Sequence, residues 1–280
     1  MTDHALPDLC DTLAARFRDA PDVPDFVAEN PVLQAMAARG SCRAFTDAPV
    51  PEELLETLCA VALASPTKSD LQQRDIVLVS AAPLRAQISA LVAGQAWVAG
   101  APMLAIFCGN NRRQRLLHDW QGVAFANDHL DAFFNATADA AIALGAFVAA
   151  AEATGLGCCP ISAVRNEAAA VSKLLGLPDH VFPFAGLAIG YPAEPALVAK
   201  RLPLGVTVHR DRYAETELRA AVQAYDAERE AAQPYASQRF TAQFGQSDSY
   251  GWSLDKVRQY SQPERADFGA FVRKKGFSLE

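Results

Sequence analysis

The chain has 280 residues, 51% hydrophobic and 20% charged, which is ample apolar material for one large core or two small ones and reads as globular. A formal net charge of −7 argues against sequence-independent nucleic-acid binding, which needs excess Lys and Arg against phosphates, although a local basic pocket stays open. The six cysteines, Cys10, Cys42, Cys59, Cys108, Cys158 and Cys159, form no zinc-chelating CxxC pair; they read as reduced, buried thiols and point to the cytoplasm.

Residues 1–29 are expected to form an amino-terminal helix and arm, with an apolar-periodic piece over residues 9–17 and few core contacts. The opening MTDHALPDLCDTL has acids and a proline where an export signal needs a basic start and an unbroken apolar run, so no export is expected. Pro31 suits the first turn of a helix reaching about Ala38, and Pro51-Glu52-Glu53 opens another to Ala64, with the loop RGSCRAFTDAPV between them. Short apolar runs at residues 76–79, 103–108 and 184–189, bounded by Gly, Pro or Ser and separated by helical stretches, read as strands in an α/β alternation. The most apolar segment, residues 133–153, could nearly span a bilayer, yet Asn135, Asp139 and Glu152 interrupt its small alanines. It reads as the buried central helix of a soluble protein, with no membrane association. With no Gly/Ser linker and no internal repeat, one domain is preferred to two. After Tyr213, ETELRAAVQAYDAERE is a charged amphipathic helix and residues 233–260 are polar and aromatic without a clear period. This tail cannot build a core alone and is expected to pack on its own domain or on a partner subunit, which favours an oligomer.

Several familiar site patterns fail. GLG at 155–157 lacks a third glycine and runs into Cys158-Cys159-Pro160, so no dinucleotide fingerprint opens a helix there. Ser41 lacks the spacing of a nucleophile elbow. His4, His118, His129, His180 and His209 are dispersed and make no paired ligand set, so no metal site is expected. Cys158 and Cys159 are neighbours that could bridge only under strain, and packing is the reading preferred.

What remains lies in four separated segments. The first is Arg39-Gly40-Ser41-Cys42-Arg43-Ala44-Phe45, with cations around a hydroxyl in a helix-exit loop; by itself it equally reads as a solvated loop. The second is Ser65-Pro66-Thr67-Lys68-Ser69-Asp70-Leu71-Gln72, rich in short donors and acceptors. The third, from Gly157 to Asn166, places small residues after the long helix, where a plain turn or a close approach by a flat ligand would both fit. The fourth is Lys200-Arg201-Leu202-Pro203, whose paired cations suit a phosphate by charge and fork geometry, or simply a basic surface.

Together, in this order and at these intervals, the segments resemble the nitroreductase family, in its oxygen-insensitive NADPH nitroreductase and flavin reductase branch. The resemblance spans residues 30–213, with Gly94-Gln95 and the run 185–192 also fitting, and the end of the tail, residues 267–277, looks similar too. It implies an α+β fold, a central, mostly antiparallel sheet flanked by helices, in a domain-swapped homodimer with FMN at the subunit interface. Residues 30–213 would be the FMN-binding domain, and residues 214–280 a helical extension packing on the dimer. Arg39 and Ser41, with Gly40 between them, would approach the FMN phosphate, and Arg43 the pyrimidine end of the flavin ring, where a cation stabilises the reduced anion. Thr67 would keep the hydroxyl of the family's usual serine, and Gln95 would contact the flavin. Pro160, Ile161, Ser162 and Ala163 match the stretch facing the ring, and Arg201 a phosphate-binding arginine. The pattern departs at Gly40, where an arginine is common, at Ser162-Ala163, where a glycine pair is usual, and at Ala199, where a lysine is usual and Lys200 is the candidate replacement.

The activity implied is ping-pong hydride transfer from NADPH or NADH, through flavin N5, to a small organic acceptor such as a nitroaromatic, a quinone or a flavin, with no dedicated acid or nucleophile. NADPH is preferred on the branch resemblance, and Arg210, Arg212 and Arg239 are candidate partners for its ribose phosphate. A flavin reductase or flavin-transforming enzyme on the same fold, and a non-catalytic flavin-binding protein, are the alternatives.

Overall fold

Four strands take up the apolar runs and the small-residue segment after the long helix: β1 (Arg74–Val79), β2 (Met103–Asn110), β3 (Gly157–Ile161) and β4 (Val181–Gly190). In this computed structural model, which describes residues 6–92 and 95–280, they form a sheet in the order β1-β2-β4-β3 with every ladder antiparallel. The expected α+β class is thus borne out. The strand and helix alternation, which alone suits a parallel sheet, here joins antiparallel neighbours.

β2 is buried along its whole length because both faces of the sheet are covered. Met103, Ala105 and Phe107 point to one core with Leu55, Leu58, Phe147, Leu187 and Ile189. The alternate residues Leu104, Ile106 and Cys108 point to the other, with Val79, Ile88, Ile161, Val164 and Val171. Phe107 and Phe147 meet edge to face at 5.7 Å and are fully buried, each contributing about 2–3 kcal/mol.

The helix Leu130–Ala153 packs on β2 and on the helix Glu52–Leu63. Its length and composition alone would suffice to cross a membrane. One stripe, Ala136, Ala140, Ala143, Phe147 and Ala151, is sealed into the core, and the opposite stripe exposes Leu130, Phe134 and Ile142. It serves as the core helix the sequence reading expected.

The chain divides into two compact units, where the sequence reading preferred one domain. One is residues 40–196 with 265–280, containing the sheet; the other combines the amino-terminal segment to Arg39 with residues 197–264. The second unit is helical, its long helices being Leu9–Arg16, Pro31–Ala38, Leu218–Ala232 and Trp252–Tyr260. Asn30 caps the helix at Pro31 by accepting from the amides of Val32 and Leu33. The expectation of few core contacts in the arm is corrected, since Leu9, Thr12 and Arg16 are buried. Residues 233–260, which show no clear period in sequence, are held by specific contacts: Trp252 meets Tyr225 edge to face, and Asp255, 1% exposed, accepts from Tyr250 and pairs with Arg239 and Lys256.

Candidate functional site

In the sheet-containing unit, the loop after Arg39 is strapped along β3. The Cys42 amide donates to the Cys158 carbonyl at 3.0 Å, Thr46 N–H to Tyr191, and Ala193 N–H to Ala44. This approach requires Gly157, because a Cβ there would lie 2.6 Å from Cys42 Cβ and Sγ. The strap buries Gly40 and half-buries Ser41, and it turns Arg43 out to solvent with its guanidinium 5.8 Å from the Trp97 ring centroid. Trp97 belongs to the turn that begins at Gln95, so the structure brings Arg43 and the Gln95 segment together. Gly94 lies outside the described residues.

β3 is the edge strand, and the pleat turns Pro160 outward while Ile161 is buried; Ser162 is exposed and Ala163 buried in the short turn that follows. This segment, for which a plain turn and a close ligand approach both stood open, therefore presents an accessible strand edge with small side chains. Cys158 and Cys159 are buried and point to opposite faces of the strand, in keeping with the packing reading.

Thr67 sits elsewhere. It is half-buried in the loop between the helix Glu52–Leu63 and β1, and β1 is the opposite edge of the sheet from β3. That loop holds three non-glycine residues with positive φ, Ser69 at 50°, Asp70 at 56° and Gln72 at 52°, a strained backbone that needs fixing from outside. Asp139, 1% exposed, does so by accepting from Lys68 N–H at 2.9 Å and from Gln73 N–H at 2.8 Å. Arg74, 4% exposed, donates to the carbonyls of Leu63 and Ser65 at 2.7 and 2.9 Å. Burial lowers the Arg74 pKa, and the nearby Asp139 charge opposes that shift.

In the helical unit, Arg39 and Arg201 line one cavity of about 410 Å³, together with Arg16 and Met36. Lys200, with Arg201, lines a second of about 510 Å³, against Tyr225, Arg229 and Trp252. Lys200 and Arg201, like Arg43, have no carboxylate partner among the described residues, in a chain of net charge −7. Of the candidate nicotinamide-phosphate cations, Arg239 is engaged with Asp255 at 3.0 Å, whereas Arg210 and Arg212 are exposed and have no such pairing among the described residues. No cluster of three or more potential metal ligands occurs among the described residues.

Sequence reasoning missed Arg16, Trp97 and the anchoring role of Asp139. An acid in an otherwise apolar helix was the available signal for Asp139; an arginine in the last turn of a short helix carries none.

Comparison with known proteins places these features in a family. The model of the Nitroreductase family matches residues 36–191, and that of the Nitroreductase family, C-terminal domain, matches residues 200–280. An FMN reductase [NAD(P)H] of Bacillus subtilis is 32% identical over 90% of this chain and 99% of its own length. An oxygen-insensitive NADPH nitroreductase of Salmonella typhimurium is 33% identical over 66% of this chain and 75% of its own. Among solved structures, NfrA2 of B. megaterium superposes with a TM-score of 0.81 at 29% identity, covering 90% of this chain and 99% of that one. The NADPH:FMN oxidoreductase of Vibrio harveyi, complexed with NAD+, gives 0.78 at 27% identity, covering 90% and 100%.

Proposed function

The chain belongs to the nitroreductase family, and on that premise we propose that it is an FMN-dependent oxidoreductase passing electrons from NAD(P)H to a small organic acceptor. The observation that carries this reading is the donor set: Arg39 and Arg201 line one cavity, and the cations Arg43, Lys200 and Arg201 lack carboxylate partners despite the acidic chain. Such cations fit a flavin phosphate and a ring that becomes anionic on reduction. When bound, FMN supplies the two-electron relay between nicotinamide and acceptor. Arg39, Ser41 and Arg201 hold the phosphate. Arg43, steadied by Trp97, sets a positive charge at the ring's pyrimidine end, and Gln95 offers its amide to the ring. Pro160, Ile161, Ser162 and Ala163 would line the ring along the β3 edge, Pro160 and Ser162 through exposed side chains and Ile161 and Ala163 through their backbone, and these small exposed groups would leave room for nicotinamide and acceptor in turn. Catalysis then rests on positioning and electrostatics.

Anaerobic NADPH titration of the purified protein tests this. A flavin absorption band that bleaches, and returns on adding a nitroaromatic or a quinone, is the expected result; a protein that binds no FMN would overturn it. Catalytic bleaching by NADPH of free FMN added in large excess over the protein would instead mark a flavin reductase, the reading favoured by the name of the B. subtilis relative.

The proposed assembly is a cytoplasmic homodimer. Val61 and Leu63 of the helix Glu52–Leu63, with Phe134 and Ile142 of the helix packed on it, leave an apolar surface exposed. Thr67 follows that surface in the loop leading to β1, and β1 is three strand spacings, about 14 Å, across the sheet from β3. A dimer through this face carries Thr67 of one copy to the site framed by Arg43 and β3 of the other. Co-expressed Thr67→Glu and Arg43→Met chains, each inactive alone, should then yield mixed dimers with one intact site and about half the activity. Mixed dimers with no activity would mean that both residues serve the same subunit's site.

A further inference from the structure

We propose that Arg16 is a positioning residue for phosphate recognition, and that the amino-terminal arm thereby sets the affinity for the phosphate-bearing cofactor. The inference rests on the reading above that Arg39 and Arg201 hold the FMN phosphate. Arg16 closes the helix Leu9–Arg16 and is 5% exposed. Its guanidinium reaches three carbonyls on two distant segments: Nε donates to Ala37, Nη2 to Arg39, and Nη1 to Ala199 at 3.1 Å. Its own carbonyl accepts from the Arg201 amide at 2.8 Å. One residue thus grips the backbone at and just before both phosphate-directed cations, by its guanidinium at Ala37, Arg39 and Ala199 and by its own carbonyl at Arg201, and the planar fork fixes direction as well as distance.

The grip continues along the arm. Asp19 accepts from the amides of Leu204 and Gly205 at 2.7 and 2.8 Å, which fixes the chain just past Arg201, and these hydrogen bonds lower its pKa against the effect of burial. Arg18 pairs with Glu228 at 3.3 Å. Arg16, Arg18 and Asp19 all fall within residues 1–35, outside both family-model matches. The clasp also delivers a guanidinium to the carbonyl of Ala199, a position with no cation of its own. Lysine in place of Arg16 could satisfy one carbonyl and would leave the others unbridged.

The test compares FMN with riboflavin, which has the same ring and no phosphate. Dissociation constants are measured by quenching of flavin fluorescence on the full-length apoprotein of wild type, Arg16→Met and Arg16→Lys, with thermal unfolding of each. Arg16→Met should weaken FMN by about 10–100-fold, the range for losing hydrogen bonds to charged groups, and riboflavin by no more than about threefold. Arg16→Lys should fall between wild type and Arg16→Met. Equal weakening of both flavins would reduce Arg16 to a general structural role and overturn the proposal, as would unchanged FMN affinity. If Arg16→Met does not fold, the FMN-to-riboflavin ratio of Arg16→Lys decides by the same criterion. A wild-type protein that binds neither flavin would instead overturn the functional reading itself.

Discussion

Arg43→Met is expected to lower kcat/KM for NADPH-dependent reduction by about 10²–10³-fold, the usual effect of removing one donor aimed at developing negative charge. The side chain is exposed, has no carboxylate partner among the described residues, and touches Trp97 only through its face. Its loss should therefore change stability by less than about 1 kcal/mol. With Arg43 placed at the ring as proposed, the same deletion would also remove a positive charge favouring the reduced, anionic flavin. For a two-electron couple the lost stabilisation corresponds to a midpoint potential about 60–90 mV more negative. Arg43→Lys, which keeps charge but not the planar fork, should recover part of both effects. An unchanged potential in spectroelectrochemical titration of Arg43→Met would remove Arg43 from the electronic role.

Asp139→Ala should have the largest effect on stability. The carboxylate closes both ends of the strained Lys68–Gln73 loop and lies near the buried Arg74 guanidinium, whose Nε and Nη1 have no hydrogen-bond partner. Removing it leaves two amides and a buried cation uncompensated, a loss of about 3–5 kcal/mol, and lowers Tm by about 6 °C or more for a chain of this size. The double variant Asp139→Ala/Arg74→Met should be more stable than the sum of the single effects predicts, because no orphaned charge then remains. Strict additivity in denaturant unfolding would show that the two groups are not coupled. Since the same loop carries Thr67, Asp139→Ala should also weaken FMN binding at temperatures where the protein is still folded.

The contrast between Arg43 and Asp139 shows what the sequence makes legible. Arg43 stands in a compact run of unusual composition, so it could be singled out without coordinates. Asp139 was visible only as an interruption in an apolar helix, and its two amide partners are 71 and 66 residues away in the chain. Helix starts were readable where local chemistry decides them, as at Asn30-Pro31 and Pro51-Glu52, and β2 and β4 were readable from uninterrupted apolar runs. β3 was not, because Gly157-Cys158-Cys159-Pro160 has neither alternation nor bulk; it becomes a strand through its ladder to β4 and the strap from Cys42. Proline at the accessible edge is tolerated there, since that side has no ladder to complete. The separation of Arg39 and Arg201 by some 160 positions likewise hid their shared cavity, and Arg16, which joins them, carries no local pattern.

The clasp made by the arm also fixes an order of events as the chain is made. Arg16 must wait for a carbonyl 183 residues downstream, and Asp19 for amides 185 and 186 residues downstream. At ribosomal rates of about 5–20 residues per second, that is a delay of about 10–40 s, during which β1, β2, β3 and β4 are all synthesised. The helical unit draws its two segments from either side of all four strands and can close only after they have been made.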